Sequence, residues 1–102
     1  MFFLVVRMSS DSNKNQCTVK IKNQRGLHAR ASAKFVSIAS EFNAKVTVSK
    51  DGTSVCGTSI MGLMMLAAGL GDEILIKVEG VQKGDLLKSL VALVENKFNE
   101  KL

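Results

Sequence analysis

The stretch "NQRGLHARASAKF", residues 23–35, holds the chain's one histidine, His28, where a turn signal gives way to helical spacing. The first turn of a helix has N–H groups without intrahelical partners and carries the positive end of the helix dipole. Such a place receives anions, phosphate among them. A neutral imidazole there has one unprotonated nitrogen that can act as a nucleophile. Arg30, two residues on, can neutralise a phosphoryl group, and Gly26 permits the unusual backbone angle that turns the ring to solvent. The chemistry suggested is phosphoryl transfer onto the imidazole, the resulting phosphohistidine being received by helix N–H groups and by Arg30. Two other readings stand beside it. His28 could merely cap the helix, or it could pair with Ser32 as a nucleophilic dyad, although such a dyad has no evident carboxylate to orient it.

A second stretch, "TSIMGLMMLAAG" (residues 58–69), begins with Ser59 as candidate N-cap of a short helix. That helix is too short to bury everything it carries. With Leu63 and Leu66 facing a core, Ile60, Met61 and Met64 are left over. Methionine suits surfaces that meet more than one partner. The alternative is a helix packed into the core on all sides.

The elements that must position these residues follow from hydrophobic periodicity. Residues 1–14, polar and aperiodic from Met8 onward, read as a disordered extension. Met8 is also a plausible start of translation. "CTVKI" (17–21) alternates as a half-buried strand. Ala31, Phe35, Ile38, Ala39 and Phe42 fall at helical spacing, which predicts a helix over 29–41. "KVTVS", the turn signal "KDG" and "TSVC" predict a hairpin over 45–56. A helix over 60–68 ends at "GLG". "EILIKV" (73–78) is a fourth strand, with Ile74, Ile76 and Val78 on one face. From Lys83 to Asn96 a last helix aligns Leu87, Leu90, Val91 and Val94. The order is β-α-β-β-α-β-α, an α+β domain over 15–102 in which a four-stranded antiparallel sheet is covered on one face by three helices.

Composition narrows the function. The 102 residues fit one domain, and the net charge of +5 suits an anionic partner. A nucleic-acid-binding module would need aromatic residues on the sheet; the five phenylalanines all fall elsewhere. Cys17 and Cys56 have no metal-ligand spacing and read as free thiols. Neither a metal nor a cofactor is expected. No apolar run is long enough to span a membrane, "IMGLMMLAAGL" being only eleven residues. The expectation is a cytoplasmic, soluble monomer without membrane insertion.

"GLHARASAKFV", followed about thirty residues later by "SIMGLMMLAAG", resembles the HPr family, the histidine-containing phosphocarriers of the phosphoenolpyruvate-dependent phosphotransferase system. The resemblance runs from about Asn15 to Asn96. It implies an open-faced β-sandwich and a carrier rather than an enzyme. It implies that Enzyme I phosphorylates His28 on Nδ1, with Arg30 beside it, and that the group passes to enzyme IIA components in sugar uptake or in a nitrogen-related regulatory branch. It also matches Ser59 to a serine phosphorylated by a dedicated kinase in many bacteria. The apolar surplus at Ile60, Met61 and Met64 itself reads as an exposed docking patch for Enzyme I and the acceptors. Two departures are plain: Ala31 stands where the family usually has proline, and Thr58 and Gly62 stand where other members often carry lysine.

Overall fold

The computed structural model of the protein describes residues 15–102. The extension expected over 1–14 lies outside them. Four strands, β1 (Gln16–Lys20), β2 (Lys45–Lys50), β3 (Thr53–Cys56) and β4 (Glu73–Glu79), form one antiparallel sheet in the order β1-β4-β2-β3. The helices are α1 (Ala29–Ala39), α2 (Ile60–Met65) and α3 (Lys83–Glu95), followed by a 3-10 turn at Lys97–Asn99. The predicted order and architecture are both present.

Alternation in the strands sets the layers. Val19 pairs with Ile74, Val46 with Val78 and Val48 with Ile76, and all six are buried on the helix side. Thr18, Lys20, Lys45 and Lys77 lie on the other face, three of them ammonium-bearing side chains left in water. A one-residue slip would exchange the two faces, so the apolar pattern fixes the register. On α1, Ala31, Phe35 and Ala39 are buried at intervals of four and pack that helix on the core. On α3 the buried residues are Leu86, Leu87, Leu90, Leu93 and Val94. Val91, predicted for that stripe, is only half-buried.

Two helices are shorter than predicted, each for a local reason. Helix α1 stops at Ala39, not 41, because the next turn tightens, the N–H of Glu41 donating to Ile38 rather than one residue further back. Helix α2 stops at Met65, not 68. Leu66 and Ala67 donate to the carbonyls of Leu63 and Met64, Ala67 adopts a φ of +52°, and the Ala68 carbonyl then accepts from Leu27. The end of α2 is thus drawn onto the loop that carries His28.

Candidate functional site

The loop before α1 is fixed by close backbone contact. Gly26 has φ +64° and its N–H donates to the Asn23 carbonyl at 3.2 Å. A Cβ on Gly26 would stand 2.4 Å from the Ala68 carbonyl oxygen and 2.8 Å from Gly69 Cα. Only glycine allows both the left-handed angle and this approach. Leu27 then donates to Ala68 at 2.9 Å, and the chain enters α1 with His28 as N-cap in an extended conformation. His28 Nδ1 accepts the Arg30 N–H at 3.3 Å. The ring thus sits at the start of α1, bonded to the backbone of the residue that carries the Arg30 side chain. Arg30 is exposed, and among the described residues its guanidinium has no ion-pair partner.

Ser32 is fully buried and its hydroxyl donates to the Leu27 carbonyl at 3.2 Å. It neither reaches solvent nor faces the ring as a nucleophile, so the dyad is not assembled. Capping is real, but it occupies one ring nitrogen only.

The other ring nitrogen has a partner that sequence reasoning missed. His28 Nε2 lies 2.5 Å from Oε2 of Glu100, seventy-two residues later in the chain. Glu100 Oε1 accepts from Asn23 Nδ2 at 3.0 Å, and the same amide nitrogen donates to the Gly26 carbonyl at 2.9 Å. Asn23 is fully buried, so one side chain ties the carboxylate to the loop that holds the ring. Residues 97–102 reach this position as a strap. Lys97, Phe98 and Asn99 have φ of +58°, +55° and +62°, which reverses the chain after α3. Phe98 is fully buried. Lys34 Nζ donates to the Phe98 carbonyl at 2.6 Å, Gln24 N–H donates to a main-chain oxygen of Leu102 at 2.6 Å, and Lys22 pairs with Glu95 at the end of α3.

Burial alone would push the Glu100 carboxyl up. Hydrogen bonds from His28 and Asn23, with the Lys34 ammonium nearby, outweigh it and leave the carboxyl below its usual range. A carboxyl lowered in the folded state adds stability above its unfolded value and loses it as pH falls through the lowered one. The strap's carboxylate therefore stays ionised through neutral and mildly acidic pH.

Ser59 caps α2 as expected, its Oγ accepting the Gly62 N–H at 3.0 Å. Leu63 and Leu66 face the core, while Ile60, Met61 and Met64 are 40%, 72% and 42% exposed. The surplus apolar side chains are thus on the surface. Met65 and Leu70, which the sequence reading did not include, are exposed too.

Comparison with known proteins agrees with this geometry. A family model described as the PTS HPr component phosphorylation site matches residues 15–96. The phosphocarrier protein HPr of Cupriavidus necator is 44% identical over 80 residues, covering 78% of this chain and 90% of that protein. A crystal structure of HPr from Thermoanaerobacter tengcongensis superposes with a TM-score of 0.83 at 42% identity, covering 87% of this chain and all of that one. A second structure from that organism, titled an HPr dimer, gives 0.68 at 43% identity, covering 82% and 97%. A histidine at a helix start, an arginine two residues on and this degree of likeness agree: the chain belongs to the HPr family of phosphocarriers of the phosphotransferase system.

Proposed function

We propose that His28 accepts a phosphoryl group from phosphorylated Enzyme I and passes it to enzyme IIA-type proteins, in sugar uptake or in the nitrogen-related branch of the system. The observation that carries this reading is the position of the chain's one histidine, N-cap of α1 with the Arg30 N–H at Nδ1, followed two residues on by an exposed arginine whose guanidinium has no ion-pair partner among the described residues. The domain that does this is residues 15–102, with 1–14 as an appended lead-in. The site is complete within one copy of the chain, with His28, Asn23, Arg30 and Glu100 together, which supports a monomeric carrier. The test is incubation with phosphoenolpyruvate and Enzyme I followed by intact mass. One phosphate, lost on acid treatment, is expected; no gain in mass refutes the reading.

Arg30 acts on the transferred group rather than on the fold. Its side chain is exposed, and such substitutions usually change stability by less than about 0.5 kcal/mol. A hydrogen bond to a charged partner contributes about 1.5–3 kcal/mol. Arg30→Ala is therefore expected to melt like the wild type and to take up phosphate roughly 10- to 100-fold more slowly. A large fall in melting temperature with unchanged transfer would reverse the assignment.

Ser59, acted on by a dedicated kinase, is the regulatory site, and Ile60, Met61 and Met64, with Met65 and Leu70, form the docking patch. A phosphate on Ser59 would lie at the positive end of α2, where its charge is tolerated. The fold survives, and about one and a half to two negative charges appear beside apolar surface that a partner must desolvate. Ser59→Asp should accept phosphate from Enzyme I much more slowly than Ser59→Ala, both remaining folded. Met61→Lys should weaken Enzyme I binding in calorimetry by a similar route. Equal rates for the two serine variants would leave Ser59 as a cap only, and unaltered affinity of Met61→Lys would remove the patch.

A further inference from the structure

We propose that Glu100 is the positioning residue of the phosphoryl-accepting site, holding the proton on His28 Nε2 and so leaving the lone pair on Nδ1. The proposal rests on the carrier reading of His28 given above. Two hydrogen bonds agree on the tautomer. Nδ1 accepts the Arg30 N–H, so it is bare. Nε2 faces an ionised carboxylate oxygen at 2.5 Å, which can only accept, so Nε2 carries the proton. A ring held at both nitrogens has one orientation, and only Nδ1 is placed at the helix start.

The carboxylate also matters for charge. When Nδ1 attacks phosphorus, its lone pair forms the N–P bond, and the bond from phosphorus to the donor breaks with its electron pair leaving on the donor. No proton moves, because Nε2 already holds one. The ring becomes a phosphorylated imidazolium whose positive charge lies against Glu100. When the group is passed on, the N–P electron pair returns to Nδ1 as the acceptor forms its own bond to phosphorus. The carboxylate stabilises the charged ring between these two steps and does not touch the phosphoryl group. The lowered ionisation range of Glu100 is consistent with a carboxylate that is charged throughout.

The arrangement is built for this and not a chance surface contact. Both side chains are mostly out of water, with exposures of 16% for His28 and 14% for Glu100. Asn23 fixes the second carboxylate oxygen, and Phe98, Lys34 and Gln24 fix the strap. Carboxylates that orient a metal-bound histidine through its far nitrogen typically change affinity or activity about 10- to 100-fold when removed, and the same order is expected for a ring oriented for phosphoryl transfer.

The test is Glu100→Gln, which keeps the shape and removes the charge, and whose amide can present either oxygen or NH₂ to the ring. Ring ¹⁵N spectra of neutral His28 should show Nε2–H alone in the wild type and a mixture of tautomers in the variant. With Enzyme I, kcat for phosphate uptake should fall about 10- to 100-fold while KM stays unchanged. Unchanged kcat, or a raised KM at unchanged kcat, overturns the proposal, the latter by making Glu100 a docking residue. If the wild type accepts no phosphate, the carrier reading has failed, and the ring spectra decide the role of Glu100 alone: a shifted tautomer supports it and an unshifted one overturns it. A wild type that accepts phosphate beside an equally fast variant leaves the carrier reading standing and removes Glu100 from it. The melting temperature of Glu100→Gln, measured alongside, confirms that the folded state is being compared.

Discussion

His28→Ala, incubated with phosphoenolpyruvate and Enzyme I, is expected to gain no acid-labile phosphate at all. The loss should be complete rather than graded because nothing nearby can take over. The chain has no second histidine. The neighbouring hydroxyl of Ser32 is buried and bonded to Leu27. Arg30 is permanently protonated and has no lone pair to offer. The fold should persist, since an N-cap side chain replaced by alanine typically costs about 1 kcal/mol. For a domain of this size that lowers the melting temperature by about 4–8 °C. Intact mass before and after acid treatment, on protein shown to be folded, reads the result. An acid-labile phosphate on the variant would place the site elsewhere.

The second large effect is on stability. Phe98→Ala is expected to cost about 3–5 kcal/mol, the range for removing a fully buried phenylalanine. Three successive non-glycine residues, Lys97 to Asn99, hold left-handed angles that L-residues avoid. The burial of Phe98 is what offsets that local cost. Without the ring, the turn loses its reason to form and Glu100 withdraws from His28. Urea unfolding should give the stability loss, and the ring spectrum of His28 should lose the Nε2–H tautomer preference as in Glu100→Gln. A loss under about 1 kcal/mol, below the range for buried large-to-small changes, would mean that the strap is held by its hydrogen bonds instead. Phe98→Ala should thus disturb both fold and ring, whereas Glu100→Gln acts mainly on the ring, with only the smaller stability loss of the missing carboxylate.

Most of the site was legible in the sequence because its parts are local. The turn "NQRG", the switch to helical spacing at Ala29 and the position of Arg30 are all set by neighbours within a few residues. The exposed face of α2 was legible because a short helix over 60–68 cannot turn Ile60, Met61 and Met64 to the core together with Leu63 and Leu66. Helix ends were read too late because they depend on contacts across the fold, as with Ala68 turning to accept from Leu27. Glu100 was missed for a related reason. It lies in no periodic segment, and it meets His28 only through a reversal built from left-handed residues. One signal was available: Phe98 is a large apolar residue beyond the last helical stripe, followed directly by Asn99. Asparagine is the residue type after glycine that most readily takes left-handed angles. A buried anchor in a reversing segment would have pointed the following carboxylate back towards the domain.

The position of β4 between β1 and β2 has a consequence for synthesis. While a chain is still being made, β2 and β3 can pair as a hairpin as soon as both are out, but β1 has no neighbour until residues 73–79 emerge. The first strand and the loop that follows it, with the histidine, must wait unpaired while most of the domain is translated. The strap comes later still. A growing chain therefore carries His28 for most of its synthesis without the elements that frame it, and gains β4 and then the strap only near the end.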